Sequence, residues 1–415
     1  MVTAQNQKLL TGNAAAAWGA RLAAIDYVPA FPITPQTEII ETLARWFDAG
    51  EMQGKFVTLD SEHSMVMAAG AAAAAGVRVF TATSSQGLVY AMEALYTISG
   101  WRVPLVLVNV SRALASPITL GPDHNDVLAA RDAGFVQLHC ESCQEVLDTV
   151  LMAYRIAEDE RVSAPVLVNF DGFFLSFTRE PVEIPDAEAV RAFLPRFEAK
   201  YPTFRASQPL AQGAAVLDGA TYTYFRYQLH HALRNALEVH QQAADEFEAH
   251  FGRRYGPVET YRLEDADTVL VMAGAFASKG KAAVNRWREQ GRNVGLLRLR
   301  MVRPLPDREL VAALVGRRAV GVIDQNLSPG LGGILFHEIA GVLAAEENRP
   351  AVLRSFVGGL GGKDISSAEF DHVLATLDGA KTGSADPELL FTDAEWRQMQ
   401  QRLAVAGKSL EAATP

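Results

Sequence analysis

The chain has 415 residues, of which 49% are hydrophobic and 21% charged, and its formal net charge is -10. This size and apolar content favour two domains over one. The acidic balance excludes a protein built to bind nucleic-acid phosphates, and without a leader-like start or a bilayer-length apolar run we expect a soluble, cytoplasmic protein with no membrane insertion.

Strand-like and helix-like segments alternate through residues 1–180. Helices are predicted over 14–24 and 38–47, with a strand at 28–31 between them. Further strands are predicted at 55–59, 77–81, 104–110, 135–139 and 165–170. Strands separated by helix-length segments predict an α/β fold, in which helices wrap a parallel sheet.

The alternation breaks over residues 181–261, which we interpret as an extended and helical connector. Apolar residues recur every four positions in its helical part, 222–250, and predict a helix with one apolar stripe packed against a body. They are Phe225, Leu229, Leu233 and Leu237. A second α/β block covers 262–390, and a helical tail is predicted over 391–415.

Glycine-rich turns follow the strands of the second block. Strands are predicted at 293–299 and 319–324, and the second leads into the turn Asn326-Leu-Ser-Pro-Gly-Leu-Gly-Gly333. Such a turn can cradle phosphate, but its glycine spacing is not that of a dinucleotide-binding motif. We therefore interpret it as a tight connection from strand to helix.

The chain contains two cysteines, Cys140 and Cys143, in one C-x-x-C motif. One such pair cannot supply the four thiolates of an iron-sulfur cluster or a structural zinc site. A redox pair is one interpretation, and two ordinary reduced thiols are the other, which we favour. We predict no metal site in this chain.

The most informative segment runs from Lys55 to Gly87. A short apolar strand leads to Glu62 at the start of a helix of small residues, and a second strand then ends in a turn rich in serine and glycine. This pattern is typical of a buried glutamate that faces a cofactor. The structural alternative is a first-turn glutamate after a cap at Asp60 or Ser61, which the helix dipole stabilises by about 0.3–1 kcal/mol.

Short motifs recur in a fixed order along nearly the whole chain. They are Phe31-Pro-Ile-Thr-Pro35, Ser61-Glu-His63, Thr83-Ser-Ser-Gln-Gly87, Ser111-Arg-Ala113, Gly121-Pro-Asp-His-Asn-Asp126, Asp171-Gly-Phe173, Arg303-Pro304, Asp324-Gln-Asn326 and Gly358-Gly-Leu-Gly-Gly-Lys-Asp364. In order and spacing the chain resembles the alpha subunit of the 2-oxoacid:ferredoxin oxidoreductases, a family of thiamine-diphosphate enzymes that includes pyruvate:ferredoxin oxidoreductase. The resemblance implies a pyrimidine-binding thiamine domain over 1–180 and a transketolase C-terminal-like α/β domain over 262–390.

The resemblance also implies roles for three side chains. Glu62 hydrogen-bonds the pyrimidine ring of thiamine diphosphate and so promotes loss of the proton on thiamine C2. Thr34 and Arg112, each at the end of a predicted strand, bind the carboxylate and oxo oxygen of a 2-oxo acid, whose charge needs donors when it is buried. From the residues alone, Thr34 as a helix cap and Arg112 as a structural ion pair remain open.

Further candidates follow two of the strands. Ser85, Gln86 and Gly87 are expected to approach the cofactor, although Gly87 is equally well explained as a turn glycine. His124 and Asp126 are secondary candidates that orient the pocket or line a subunit contact, or that simply bind their own loop.

Two absences imply partner chains. The Gly-Asp-Gly motif that normally holds the magnesium-bound diphosphate of thiamine is missing, so thiamine diphosphate is shared with a beta subunit that holds the magnesium. The chain lacks cluster cysteines, so iron-sulfur clusters belong to partner subunits, of the gamma and ferredoxin-like kinds. Coenzyme A is the implied co-substrate.

The identity of the 2-oxo acid stays open at this stage. Segment 113–120 after Arg112 has no basic residue to receive a second carboxylate, which favours pyruvate, or an apolar or aromatic 2-oxo acid such as phenylglyoxylate, over 2-oxoglutarate. The final electron acceptor, ferredoxin or NAD, is also open. A split transketolase-type transferase and a noncatalytic assembly subunit are the alternative functions.

Overall fold

The computed structural model describes residues 6–213 and 215–405. Two units make up the chain: unit 1 is Met1–Glu259 with Leu299–Pro306, and unit 2 is Thr260–Arg298 with Asp307–Pro415. Within the described residues, every helix is too short or too polar to cross a lipid bilayer.

Strands and helices alternate along the first part of the chain. The strands are β1 (Gln7–Thr11), β2 (Tyr27–Ala30), β3 (Lys55–Thr58), β4 (Phe80–Thr83), β5 (Val106–Ser111), β6 (Val136–His139), β7 (Val166–Asp171) and β8 (Arg179–Glu183). The helices are α1 (Gly12–Leu22), α2 (Thr37–Asp48), α3 (Glu62–Ala74), α4 (Ser85–Tyr90), α5 (Met92–Trp101), α6 (Asn125–Ala129), α7 (Cys143–Ala157), α8 (Ala187–Phe193) and α9 (Gly219–Phe251).

The second part continues the alternation. Its strands are β9 (Val258–Tyr261), β10 (Thr268–Met272), β11 (Val294–Leu299), β12 (Met301–Arg303), β13 (Ala319–Asp324), β14 (Val352–Val357) and β15 (Ser384–Leu389). Its helices are α10 (Ala277–Glu289), α11 (Asp307–Leu314), α12 (Ile334–Leu343), α13 (Ser367–Gly379) and α14 (Asp393–Val405), with one 3-10 turn at Leu360–Gly362.

Unit 1 is built on a five-stranded sheet in the order β12-β6-β7-β5-β4. Strands β4 to β7 pair in parallel, and the short β12 runs antiparallel to β6. Strands β2 and β3 form a parallel pair, and a bridge from Tyr27 to Val79 continues the sheet toward them. Because β5 and β7 are buried throughout, their sequences are almost continuously apolar, as expected of a parallel sheet covered on both faces. The predicted α/β fold class is confirmed.

Small residues let helix α3 pack closely in unit 1. A Cβ added at Gly70 would collide with Ile98 of α5, so the glycine allows the two helices to approach. The Ser61 hydroxyl caps α3 by accepting a hydrogen bond from the Ser64 amide at 3.2 Å. Of the two predicted caps, Ser61 is the one used, and it makes Glu62 the first helical residue.

Unit 2 is built on a six-stranded sheet in the order β15-β14-β13-β10-β11-β9. Strands β11, β10, β13, β14 and β15 pair in parallel. After β13, the Asp324 carboxylate accepts hydrogen bonds from the amides of Leu335 (2.9 Å) and Phe336 (3.1 Å), and Asn326 accepts one from Ile334. These bonds hold the start of α12, so the glycine-rich turn is a connection from strand to helix.

Two predicted details differ from the structure. Strand β4 begins at Phe80 rather than Val77, because Asp26 accepts the Arg78 amide and donates its own amide to the Arg78 carbonyl. Residue 78 is therefore used to bind a loop before the strand begins.

Helix α9 buries a different stripe from the predicted one. Phe225 is 53% exposed, so the prediction is wrong at that position, whereas Leu229 is buried. The buried positions are mostly small: Ala232, Ala236, Val239, Ala243 and Ala244. Alanines allow a close approach to α7, and ion pairs from Arg155 to Glu246 and from Arg253 to Asp148 hold the end of α9. The predicted connector up to residue 259 lies in unit 1.

Candidate active site

The sequence-predicted site residues lie where parallel strands of unit 1 end. Thr34 follows β2, Glu62 follows β3, Ser85 to Gly87 follow β4, and Arg112 follows β5. In a parallel sheet all these ends lie on the same edge, which is where such sheets bind ligands.

Glu62 presents a buried carboxylate at the start of α3. Only 8% of the residue is exposed, and within residues 6–213 and 215–405 no group donates a hydrogen bond to its carboxylate. The helix dipole favours negative charge at this position. Burial without a hydrogen-bond donor is costly for a carboxylate. The position is therefore suited to a bound group that donates a hydrogen bond to Glu62.

Gly87 faces Glu62 directly. A Cβ at position 87 would lie 2.7 Å from Glu62 Oε1 and 2.6 Å from Thr83 Oγ1, distances that real side chains do not adopt. The Thr83 hydroxyl is buried and has no hydrogen-bond partner in the described part of the chain. Glycine at 87 therefore lets the side chains of Glu62 and Thr83 pack directly against the backbone of α4.

Arg112 joins two of the predicted segments. Its Nη1 donates to the Thr34 carbonyl and its Nη2 to Gln86 Oε1, both at 2.7 Å. Burial lowers the pKa of the Arg112 guanidinium, while the negative charge of Asp126 raises it. Arg112 is thus held by neutral oxygens, and donors on its guanidinium remain for an anion. Thr34 itself is exposed and precedes the α2 cap at Gln36.

Ser85 has a backbone φ of +50°, in the left-handed region that side-chain-bearing residues seldom adopt. Its amide donates to Asp126 Oδ2 at 3.0 Å, and its hydroxyl donates to Gln86 Oε1 at 2.6 Å, with the Ala113 carbonyl 2.9 Å away. The turn that carries Gln86 and Gly87 is therefore held by residues that follow β5.

Asp126 is the centre of this arrangement. Its buried carboxylate accepts hydrogen bonds from the amides of Ser85 and Arg112, and from three other donors. Those donors are the Asn109 side chain, the Ser111 hydroxyl and the Val127 amide. Burial raises the pKa of Asp126, and the hydrogen bonds from Asn109 and Val127 lower it in part. One carboxylate thus fixes the loops after β4 and β5 relative to each other.

A row of buried polar side chains underlies these loops. Thr83, Asn109, Asn169 and His139 stand side by side in register on β4, β5, β7 and β6. Asn109 donates to Asn169 Oδ1 at 2.9 Å, and Asn169 lies 3.3 Å from His139 Nδ1. Hydrogen bonds that link Asn109, Asn169 and His139 across three buried strands indicate a positioning role for these side chains.

His124 packs against His139 at the end of the row, with 5.1 Å between the ring centroids, and forms an ion pair with Asp171. Its Nε2 lies 2.8 Å from Asp171 Oδ1, and both residues are buried. Burial lowers the pKa of His124, but the carboxylates of Asp171, Asp126 and Asp123 together outweigh this and leave the pKa above its ordinary value. His124 therefore lies below the site, not at its surface.

Comparison with known proteins identifies the family of the chain. Two family profiles match the chain: "Pyruvate flavodoxin/ferredoxin oxidoreductase, thiamine diP-bdg" over residues 18–245, and "Pyruvate:ferredoxin oxidoreductase core domain II" over residues 266–370. Pyruvate synthase subunit PorA of Pyrococcus furiosus is 38% identical over 94% of this chain and 98% of its own length. The chain belongs to the pyruvate:ferredoxin oxidoreductase family. The resemblance found in the sequence is confirmed, and the chain is an alpha-type subunit of a 2-oxoacid:ferredoxin oxidoreductase, an enzyme of several subunits.

Relatives of this oxidoreductase subunit carry more than one substrate name. PorA of Thermotoga maritima is 40% identical over 90% of this chain and 94% of its own length. Ketoisovalerate oxidoreductase subunit VorA of Pyrococcus horikoshii is 38% identical over 95% of this chain and 98% of its own length. Overall sequence identity therefore does not distinguish relatives named for pyruvate from those named for ketoisovalerate.

A solved structure has the same fold as this oxidoreductase subunit. The 2-oxoglutarate:ferredoxin oxidoreductase of Magnetococcus marinus matches with a TM-score of 0.69 and 19% identity, covering 89% of this chain and 65% of that chain. At this identity the match speaks for the fold alone.

The two cysteines of the oxidoreductase subunit are buried and do not form a disulfide. Burial raises the pKa of the Cys143 thiol, and the nearby Glu180 carboxylate adds to the increase. The Cys143 thiol points at the carbonyls of Leu175 and Thr178. A thiol held protonated is a poor nucleophile, so the environment of Cys143 is that of an ordinary reduced cysteine.

Sequence reasoning missed Asn109 and Asn169 in this oxidoreductase subunit. A signal was available, because the same run, Val-Leu-Val-Asn, occurs at 106–109 in β5 and at 166–169 in β7. An asparagine at the same place in two apolar strands indicates a polar pair at one level of the sheet. Asp171, which ends β7, was quoted only as part of a motif.

Proposed function

We propose that this subunit carries the pyrimidine half of a thiamine-diphosphate site that oxidatively decarboxylates a 2-oxo acid and transfers the acyl group to coenzyme A. The bond between C1 and C2 of the 2-oxo acid breaks and carbon dioxide leaves. Two electrons then pass to iron-sulfur clusters in partner subunits, and the acyl group forms a thioester. The observation that carries the proposal is the buried Glu62 carboxylate, which has no donor within the described residues and faces Gly87.

The residues beside Glu62 fit the aminopyrimidine ring of thiamine diphosphate. The Glu62 carboxylate is available to accept a hydrogen bond from a ring nitrogen, and a Cβ at Gly87 would fill the space beside it. When bound, thiamine diphosphate supplies a nucleophilic carbon that attacks the oxo carbon of the substrate. Glu62 holds the proton at the ring nitrogen, which is the contribution of this chain to activation.

Arg112 and Thr34 are proposed to receive the substrate. The Arg112 guanidinium offers its remaining N–H donors to the substrate carboxylate, and the exposed Thr34 hydroxyl offers one to the oxo oxygen. Ser85 and Gln86 keep the guanidinium in place, because Gln86 Oε1 accepts from Arg112 and from the Ser85 hydroxyl. Such preorganisation avoids a rearrangement when the substrate binds.

Asp126 and His124 are proposed to position this surface without touching the substrate. Asp126 holds the amides of Ser85 and Arg112, and His124 pairs with Asp171 and packs against His139 of the polar row. Their burial supports this role over a subunit contact.

The proposal requires partner chains. The sequence has no Gly-Asp-Gly motif for a magnesium-bound diphosphate and only two cysteines. We therefore assign the diphosphate and its magnesium to a beta subunit, and the iron-sulfur clusters to ferredoxin-like and gamma subunits. Coenzyme A is the acyl acceptor.

A small or apolar 2-oxo acid is the proposed substrate. The segment 113–120 contains no basic residue, and Ile118 and Leu120 within it are exposed. A second substrate carboxylate would therefore find no cation in this segment. Pyruvate fits this surface, as do branched and aromatic 2-oxo acids such as phenylglyoxylate, and relatives named for pyruvate and for ketoisovalerate support the range.

The test is a steady-state assay of the purified native complex with a panel of 2-oxo acids, coenzyme A and a viologen dye as one-electron acceptor. We expect dye reduction that depends on coenzyme A and is fastest with pyruvate or with an apolar 2-oxo acid. Ferredoxin and NAD, tested in place of the dye, identify the acceptor. Dye reduction with 2-oxoglutarate alone would contradict the substrate assignment, and no reduction with any 2-oxo acid would contradict the reaction.

A further inference from the structure

The guanidinium of Arg112 is held on one side by the side-chain amide of Gln86. Arg112 Nη2 donates to Gln86 Oε1 at 2.7 Å, and the Ser85 hydroxyl donates to the same oxygen at 2.6 Å. Because a guanidinium has donors and no acceptor, the Gln86 atom that faces it must be the amide oxygen. The orientation of the Gln86 amide is therefore fixed, and its Nε2 takes part in neither contact.

The charge of Arg112 is not neutralised by an ion pair. Thr34 offers a backbone carbonyl to the guanidinium, and Asp126 accepts from the backbone amide of Arg112 instead. In the part of the chain that the structure describes, no carboxylate lies within ion-pair distance of this guanidinium, although Arg112 is buried. A buried cation without a carboxylate partner is costly, so the position favours binding of an anion.

Glutamine at position 86 is less favourable for stability than glutamate would be. Gln86 Nε2 is buried and has no hydrogen-bond partner among the described residues, so its N–H donors are unsatisfied at a cost in free energy. Glutamate has the same length and could accept the same hydrogen bonds from Arg112 and Ser85. It would carry no unsatisfied donor and would neutralise the buried guanidinium. A residue that costs stability where a better one fits is typical of a functional site.

We propose that Gln86 makes the site selective for an anionic substrate, because its neutral amide fixes the Arg112 guanidinium and leaves the positive charge for the substrate carboxylate. A carboxylate at position 86 would hold the same guanidinium but compete with the substrate for it. Gln86 is thus a positioning residue that acts through Arg112. The inference rests on the proposed function in one respect, namely that Arg112 receives the carboxylate of the 2-oxo acid.

Gln86→Glu in the complete purified complex tests the inference. The matched control is Gln53→Glu, which adds the same charge at an exposed residue before β3, at the opposite end of that strand from Glu62. Affinity is measured from the rise in melting temperature with ligand concentration. The ligands are the 2-oxo acid that the wild-type complex prefers and the amide of that acid, which has nearly the same size and no charge.

The expected result separates charge from general damage to the pocket. For Gln86→Glu we expect a melting temperature without ligand that equals or exceeds the wild-type value. Affinity for the 2-oxo acid should fall by about 10-fold or more, while affinity for the amide stays within about twofold of the wild-type value. Gln53→Glu should leave both affinities unchanged.

Three results would overturn the inference. They are an unchanged affinity of the Gln86→Glu complex for the 2-oxo acid, an equal loss of affinity for the acid and its amide, and a variant that melts earlier or fails to assemble. Release of carbon dioxide is measured on the same samples. A wild-type complex that binds the 2-oxo acid but does not decarboxylate it would contradict the proposed function and leave the role of Gln86 standing.

Discussion

Replacing Gly87 by alanine should disable the site without unfolding the chain. The new Cβ would lie 2.7 Å from Glu62 Oε1 and 2.8 Å from Glu62 Cγ, so the Glu62 side chain must move by several tenths of an ångström or more. Gly87 lies inside helix α4, and its φ is not left-handed. Because alanine is favoured over glycine in a helix by about 1 kcal/mol, the backbone does not oppose the change, and the strain falls on Glu62 and on the Thr83 hydroxyl, which would lie 2.6 Å from the new Cβ.

The size of the effect follows from two magnitudes. Overpacking of a tight space costs about 1–3 kcal/mol, which is too little to unfold a domain built on a buried five-stranded sheet. Displacement of a catalytic group by about 1 Å, in contrast, reduces turnover by on the order of 100-fold. For Gly87→Ala in the assembled complex we therefore expect kcat to fall by about 10- to 100-fold while the melting temperature shifts by no more than a few degrees.

The assay measures kcat for two glycine variants and for a double-mutant cycle between positions 87 and 62. Gly100→Ala in α5 is the matched control, because a Cβ there has no atom within 4 Å, and it should leave kcat unchanged. If Gly87→Ala acts through Glu62, adding it to Glu62→Gln should cause no further loss, since the two changes remove one interaction. The reasoning is refuted if Gly87→Ala keeps kcat within about twofold of the wild-type value, or if the two losses multiply.

Three further predictions follow from the contacts of individual side chains. Arg112→Lys keeps the positive charge but loses the paired N–H donors of the guanidinium, whose hydrogen bonds are worth about 1.5–3 kcal/mol for a charged group. In the steady-state assay, KM for the 2-oxo acid should therefore rise about 10- to 100-fold. An unchanged KM would count against substrate binding by Arg112. The pKa of His124 is raised in the folded chain, so its ion pair with Asp171 stabilises the fold most below the ordinary histidine pKa. This stabilisation is lost as the pH rises through the pKa of the folded state. His124→Asn should therefore lower the free energy of urea unfolding more at pH 6 than at pH 9, and an equal loss at both would argue against a charged pair. Because burial raises the pKa of Cys143, iodoacetamide at pH 8 should leave it unmodified in the native complex and label it after denaturation, as read by peptide mass spectrometry; complete labelling of the native protein would contradict this.

The fold class and the edge that carries the site could be predicted because both depend on local patterns. Apolar strands separated by helix-length segments indicate a parallel sheet, and strand β13 has the predicted bounds, Ala319–Asp324. Residues that follow such strands share one edge. This placed Thr34, Gln86 and Arg112 together, and the structure joins them by hydrogen bonds.

Strands that depend on distant partners could not be predicted. Strand β12 has three residues, Met301–Arg303, and exists because it pairs with β6, far earlier in the chain. Strand β1 contains Leu9, which is largely exposed, and is defined by its pairing with β8. Neither strand has the alternation that marks a strand by itself.

The supporting shell of the site was missed for a related reason. Asn109 and Asn169 are single polar residues in apolar strands, and only the register of β5 and β7 brings them side by side. Asp126 was recognised only as a residue of a polar loop. Its role depends on the amides of Ser85 and Arg112, which reach it through the fold. Sequence patterns give residue types and strand ends, but not which backbone amides converge on a carboxylate.

The most direct test of the role of Glu62 is the rate of carbon dioxide release from a labelled 2-oxo acid by the assembled complex carrying Glu62→Gln. The glutamine keeps the size of the side chain but cannot hold a negative charge at the pyrimidine ring. We expect the rate to fall by about 100-fold or more, as for the loss of a general acid-base group, while the subunits co-purify in their normal ratio. Release at a rate close to that of the wild-type complex would contradict the assignment of Glu62.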